Sequence, residues 1–394
     1  MREPLRIAIV GAGIGGLAAA YALRRVGHEV VVYEQAPEFA PIGASIDVGP
    51  NAIRLLDALG CSESVRRLGV RPDWIELVRW QDGRTLLRTP HGEAAERYFG
   101  APLLDFLRPD LHEVLAAELP ASQLVLDARV VGITGGRLTF ADGRTDSDAD
   151  VVVAADGVRS TVRQLLVGSD EPVFSGTVVY RGLLPRESVC DLHPDLVNRY
   201  WLGPRRHAVA YWVGGGRMLA VNAAVQEAKW ARESWTDEAL TDEVLAAFEG
   251  WHEPLLERIR RTKGFLRGAV FVRKPLERWS FGRVVLLGDA AHAMEPFQAQ
   301  GAAQAIEDAY VLADVLDRAT AADAPLLLSR YEQRRMARAS EVQTSSASAA
   351  GNFYLEDGPA QRKRDAAYET LLEELPWGHR QPLWEHDVRT PVEV

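Results

Sequence analysis

The chain has 394 residues, 47% of them hydrophobic, and a formal net charge of −10, which allows two domains or one large composite one. The acidic balance argues against a nucleic-acid surface, which wants a basic excess. No apolar run approaches the roughly 18 residues that a membrane helix requires. Two cysteines, Cys61 and Cys190, make neither a disulfide framework nor a metal cluster and fit a reducing cytoplasm. The N-terminus enters a strand almost at once, so no secretory signal is expected.

That first strand is Leu5–Val10, short, apolar and β-branched, as in a buried parallel sheet. Gly11, Gly13 and Gly16 follow at G-x-G-x-x-G spacing, with Gly15 inside the motif, and Leu17–Val26 is Ala- and Leu-rich like a helix. Gly27 closes the helix, and a Val-rich strand then ends at Glu34. Gly11 permits the tight turn, Gly13 lets backbone approach a pyrophosphate, and Gly16 lets helix pack on strand. Free N–H groups at the helix start favour phosphate. Glu34, about 20 residues on, is placed for ribose hydroxyls and disfavours a 2′-phosphate, so the bound nucleotide reads as FAD or NAD.

Pro37, Pro41 and Gly43 punctuate the next segment as a loop carrying Asp47, and Asn51 is placed to cap a helix over Ala52–Leu59. Position alone reads Asp47 as a solvated or capping carboxylate. Trp74–Thr89 alternates around Asp82-Gly83 as a hairpin. Leu107–Leu119 is helical, Leu124–Thr134 a strand, and Asp150–Ala155 a second buried strand ending at Asp156-Gly157, with Arg159, Ser160 and Arg163 behind it. That pattern is either a turn or a second contact with the same nucleotide. From Val173 to Val225 four strand-like runs are separated by Pro and Gly turns, as in an antiparallel sheet forming its own layer. Helices over Asp237–Phe248 and His252–Arg261 come next, and Phe265–Val272 leads back toward the first domain. A short strand, Val284–Leu287, then runs into Gly288-Asp289, Pro296 and an Ala-rich helix from Gly301, whose N–H groups suit an electron-rich ring edge. His207 and Tyr211, four apart in a strand, share one face; spacing alone leaves open whether that face meets solvent or a pocket.

Three motifs in this order, GAGIGG at 11–16, ADGVRSTVR at 155–163 and GDAAHAMEPFQAQGAAQAIEDA at 288–309, resemble the class A flavoprotein monooxygenases of the p-hydroxybenzoate hydroxylase superfamily. The likeness is greatest to the salicylate hydroxylase and 6-hydroxynicotinate monooxygenase branch and covers nearly the whole chain. It implies an α/β fold. A Rossmann-type FAD-binding domain with a parallel sheet would comprise 1–72, 100–172 and 273–350. An α+β substrate domain with an antiparallel sheet would comprise 73–99 and 173–272, followed by a helical C-terminal tail over 351–394.

The resemblance further implies bound FAD, NADH or NADPH as co-substrate, and O₂. A small phenolic or amino/hydroxy-substituted aromatic acid would be hydroxylated through a flavin C4a-hydroperoxide by a cytoplasmic monomer or homodimer. The alternatives are oxygenation of a non-aromatic or polyketide substrate and, remotely, a non-catalytic flavin/NAD redox sensor. Residue by residue, Glu34 would bind the FAD ribose, Arg108 would lie near the pyrophosphate, and Val130 would meet adenine. Asp156 and Gly157 would serve FAD and NAD(P)H together. Asp289 would hold ribityl and pyrophosphate groups, Gly301 with Ala302 the pyrimidine edge, and Pro296 would shape the reactive face. His207, Tyr211 and Asp47 are the catalytic candidates, with Arg181, Trp212 and Phe297 as further pocket residues, and His292 would structure the third-motif loop. The branch often has Ala at the position of Ala299, commonly Gln or His at that of Asp47, and Pro at that of Trp212. These last two departures bear on the substrate, not on the reaction.

Overall fold

The structure is a computed structural model that describes residues 3–39, 45–117, 119–146, 149–230 and 237–390. The apolar strand Arg6–Val10 pairs in parallel with Glu29–Tyr33 on one side and Val151–Ala154 on the other. Parallel strands need crossovers, and the crossover from the first strand is the helix Ile14–Arg25. The finished six-stranded sheet runs Ser280–Phe281, Val284–Leu286, Val151–Ala154, Arg6–Val10, Glu29–Tyr33, Leu124–Val125. Its strands are apolar on both faces because helices cover both. Gly301–Leu316 packs on Ile14–Arg25 and Ala324–Phe353 on Gly301–Leu316, closing the largest core around Ile9, Leu17, Val153, Leu286 and Ile306.

A second sheet of eight strands runs Asp237–Ala239, Phe265–Val272, Val173–Pro185, Met218–Gln226, Arg206–Val213, Val197–Gly203, Trp74–Arg79, Thr85–Pro90. All neighbours are antiparallel except Val197–Gly203 with Trp74–Arg79. Phe265–Val272 is thus a strand of this layer before the chain returns to the parallel sheet, and Asp237–Ala239 is a strand ahead of a helix that begins at Thr241. One face of the sheet buries Val178, Trp201, Ala210, Trp212 and Val221 against the helices Thr241–Ala247 and Glu253–Arg261. The other buries Leu77, Tyr200, Val209, Tyr211 and Ala220 toward the C-terminal helices Pro359–Glu374 and Gln381–Glu385 and the end of Ala324–Phe353. Among the described residues no helix is long and apolar enough to cross a membrane.

Three local expectations change. The run expected as one strand over Leu124–Thr134 breaks at Asp127, where φ is 52°, and resumes at Val130. Asp47 sits in the strand Ser45–Val48, paired with Leu104–Leu107, and not in a loop; Pro41 and Gly43 lie outside the described residues. Asn51 is not a cap. The helix starts at Pro50 with Gly49 before it, and Asn51 is buried, donating to Gln300 Oε1 at 3.2 Å and Glu307 Oε1 at 2.7 Å.

Candidate active site

The glycine loop shows which glycines serve the chain and which leave room. A Cβ on Gly16 would lie 2.0 Å from the Gly11 carbonyl, and one on Gly11 (φ 98°) would lie 2.5 Å from the Ala155 carbonyl. A Cβ on Gly15 would press on Leu287 and Ala305 at 3.0 and 3.1 Å. Gly13 and Gly157 face open space with nothing within 4 Å. An extended phosphate group therefore has room over Gly13 at the start of Ile14–Arg25, where unpaired N–H groups and the helix dipole favour it.

Glu34 is fixed beside this loop: Oε2 accepts the Ala12 N–H at 2.8 Å and Oε1 the Ala36 N–H at 2.9 Å. His112 donates through Nε2 to the Ala12 carbonyl at 2.7 Å, from the helix that Arg108 opens. Burial lowers the His112 pKa and keeps that ring neutral. Val130 is buried at the start of its strand, and Arg108 is exposed. Asp289, exposed as a residue, heads the short helix Asp289–His292, and Gly301 and Ala302 open Gly301–Leu316. Room over Gly13, a fixed carboxylate at Glu34 and the two helix starts fit a dinucleotide with a ring system.

The Asp-Gly motif is partly used by the chain itself. The Asp156 carboxylate accepts the Ser160 hydroxyl at 2.5 Å and the Val162 N–H at 3.1 Å, securing the helix Thr161–Val167. Arg163 is buried away from the loop; it pairs with Asp170 and donates to the Ala290 and Ala291 carbonyls at 3.0 and 3.1 Å. It ties the second motif to the third.

The third motif carries a buried polar cluster, closed by Arg335 from outside the motif, which has no local signal in the sequence. Arg335, fully enclosed, donates to Glu307 at 2.7 Å, Asp308 at 2.8 Å and the Gln304 side chain at 2.8 Å. Asp308 also accepts the Gly288 N–H at 2.9 Å and His292 Nε2 at 2.6 Å. Burial alone would raise the Asp308 pKa, but His292 and Arg335 bring it to about 2. His292 thus structures this loop.

On the other side stands the face of the large sheet carrying His207 and Tyr211. Tyr211 donates to Ser45 Oγ at 2.8 Å, and Asn222 Nδ2 reaches the same Oγ at 2.9 Å and the Tyr211 hydroxyl at 3.3 Å. Tyr200 donates to Asp47 Oδ2 at 3.1 Å, and Arg380 Nη1 lies 3.7 Å from that oxygen. Asp47 is 8% exposed, which removes the solvated reading. Its cross-strand neighbour Asp105 is fully buried and accepts from Asn198 at 2.8 Å. Burial, and then the charge of Asp47, push the Asp105 carboxyl well above the ordinary range.

His207 does not join this group. It lies about 14 Å along the strand from Tyr211 at some 3.4 Å per residue, with ring centroids 5.6, 5.1 and 5.4 Å from Phe297, Phe353 and Tyr354. Burial lowers its pKa to about 3, so the ring is neutral. Of the three catalytic candidates, the structure brings Asp47 near Tyr211, and the place of His207 is corrected to one apart from them. Trp212 is corrected as well. It faces the opposite side, its indole donating to the Asp195 carbonyl at 3.1 Å, because adjacent strand residues point to opposite faces. Arg181 stands across from Asn222 on the site face; burial and the nearby charge of Arg108 lower its pKa to about 10. Pro296 is exposed, and Phe297 is buried beside it.

A cavity of about 330 Å³ opens between the sheet and the C-terminal helices, walled by Ile75, Leu77, Leu87, Phe353, Trp377 and Trp384 and bounded by Tyr200, Phe297 and Arg380. Tyr200 and Asn222 were findable in the sequence as polar residues on buried faces of apolar strands. Arg380, far along the chain, carried no such signal.

The chain matches the FAD binding domain family over residues 5–346. It is 41% identical over 381 residues to 3-amino-4-hydroxybenzoate 2-monooxygenase PtmB3 of Streptomyces platensis, covering 94% of this chain and 95% of that protein. Identity is 38% over 353 residues to 6-hydroxynicotinate 3-monooxygenase of Bordetella bronchiseptica, covering 88% and 91%. A salicylate hydroxylase solved as a substrate complex superposes with a TM-score of 0.82 at 30% identity, covering 99% of each chain. The chain therefore belongs to the FAD-binding-domain family, in its class A branch, and is an FAD-dependent aromatic monooxygenase.

Proposed function

We propose that this enzyme uses NADH or NADPH and O₂ to hydroxylate a small aromatic acid that carries an amino or hydroxy group. One oxygen atom enters the ring and the other leaves as water. The observation that carries this reading is the buried pair Asp47–Tyr200 beside Tyr211–Ser45–Asn222, a set of acceptors and donors gathered at the front face of the large sheet. Relatives whose printed substrates are an aminohydroxybenzoate and a hydroxynicotinate support the substrate class.

FAD, when bound, supplies the reduction of O₂ and the transfer of oxygen to the ring. Gly13 and the start of Ile14–Arg25 would hold its pyrophosphate, Glu34 the ribose and Val130 the adenine. Arg108, Asp156, Gly157 and Asp289 would flank the chain of the cofactor, and Gly301 and Ala302 the ring edge. Asp47 accepts the proton of the substrate's ring O–H or N–H, which makes the ring a better nucleophile. Tyr211, held by Ser45, orients that substituent. Pro296 and Phe297 keep water from the reacting face. His207 stays neutral and shapes the aromatic wall.

The test is NADH and NADPH oxidation by the purified yellow protein against amino- and hydroxybenzoates and hydroxypyridine carboxylates, with oxygen uptake and product mass. One acid stimulating turnover with gain of one oxygen is the expected result. Stoichiometric peroxide release with every compound overturns the reading.

A further inference from the structure

Several buried arginines among the described residues have close partners, and Arg380, largely enclosed with its side chain 15% exposed, contrasts with them. Arg335 meets two carboxylates at 2.7 and 2.8 Å. Arg54 donates to the carbonyls of Phe99, Trp384 and His386 at 2.6, 2.8 and 2.8 Å. Arg163 pairs with Asp170 and two carbonyls. Arg380 has only long contacts: Nη2 lies 3.3 Å from the Tyr200 hydroxyl and 3.4 Å from the Phe297 carbonyl. Its Nη1 is buried without a hydrogen-bond partner among the described residues, 3.7 Å from Asp47. A planar guanidinium offers paired N–H donors matched to a carboxylate, and leaving such a cation enclosed with no close partner is costly.

We propose that the cavity beneath the C-terminal helices is the acid-binding half of the substrate site, and that Arg380 is the specificity residue that receives the substrate's carboxylate. This deepens the reading of the substrate as an aromatic acid and rests on it. The cavity of about 330 Å³ lies within the size range of small-ligand pockets, about 300 Å³ upward. Its apolar and aromatic walls suit a ring, and Arg380 is the cation on its boundary. Tyr200 and Phe297 border the cavity, and Tyr200 also binds Asp47, so Arg380 stands where the cavity meets the acceptor group. A ring bearing an acid at one end and an O–H or N–H at the other finds Arg380 for the first and Asp47 for the second.

Arg380→Met and Arg380→Lys in the full-length, FAD-loaded protein test this, with 3-amino-4-hydroxybenzoate and its amide as probes. Kd comes from calorimetry, and KM and kcat from turnover of the acid that proves active. Arg380→Met is expected to raise Kd and KM for the acid on the order of 30-fold or more, as loss of one partner of a buried charge pair does. The amide should change less than about 3-fold in Kd, and Arg380→Lys should recover part of the acid affinity. Equal losses for acid and amide, or no loss for either, overturn the proposal. If Arg380→Met fails to bind FAD or to fold, the acid-to-amide ratio of Arg380→Lys decides, an unchanged ratio counting against it. Wild-type protein that no acid stimulates and that binds neither probe overturns the functional reading itself. Stimulation by an acid with an unaffected variant overturns this assignment alone.

Discussion

The two faces of the strand Arg206–Val213 are both buried, yet they handle polar groups differently. Behind the sheet, Trp201 and Trp212 fill space, and each indole has a single anchor: His252 Nδ1 at 3.1 Å and the Asp195 carbonyl at 3.1 Å. In front, hydroxyls and amides from four strands meet one another: Tyr211 and Asn222 at Ser45, Tyr200 at Asp47. Burial therefore does not distinguish a core from a site. Polar groups that converge in one place do, because each could have been replaced by an apolar side chain at lower cost.

That contrast can be broken most forcefully at Trp212. Trp212→Ala should cost about 3–5 kcal/mol of stability in denaturant titrations, as large aromatic truncations in cores do, while KM in the folded protein stays put. A tenfold rise in KM would place Trp212 in the site after all. On the front face, Asp47→Asn should lower kcat/KM roughly 10- to 100-fold, the scale of a lost hydrogen bond to a charged group, read by steady-state kinetics with the preferred acid.

Acid stability sharpens the comparison, since histidines on both faces titrate alike. Burial lowers His91, His193 and His207 to about 3 each. The unfolded chain takes up these protons near pH 6.5 and the folded chain only near 3, so stability is full above 6.5 and lost as pH falls toward 3. The loss is about 1.4 kcal/mol per pH unit for each ring, or about 4 for all three. His207→Phe should remove about a third of this slope, measured by urea unfolding between pH 7 and 4. Smallest is Tyr211→Phe, expected to reduce kcat/KM about 3- to 10-fold through one neutral hydrogen bond; a loss as large as that of Asp47→Asn would make Tyr211 the proton acceptor's equal.

Much of the fold was readable because its signals are local. Gly11, Gly13 and Gly16 declare the first crossover by spacing, and alternation declares the strands of the large sheet. The i, i+4 relation of His207 and Tyr211 correctly put them on one face, but a strand rises too far for both to reach one small group. Asp47 was obscured by its Pro- and Gly-rich surroundings, which read as loop although the segment finds a partner strand some sixty residues away. Asn51, Arg335 and Arg380 were beyond reach for a related reason. Each acts on residues tens to hundreds of positions distant, and nothing in its own neighbourhood marks it.

The helix Ala324–Phe353 has 30 residues, a rod of about 45 Å. Arg335 clamps it to the floor under the third motif, Gln343 to the Arg273 and Ala293 carbonyls at 2.6 and 2.9 Å, and Ser345 and Ser346 to Gln298 at 2.9 and 3.0 Å. At its far end Phe353 forms part of the cavity wall. One stiff beam therefore joins the floor under the third motif to the wall of the cavity.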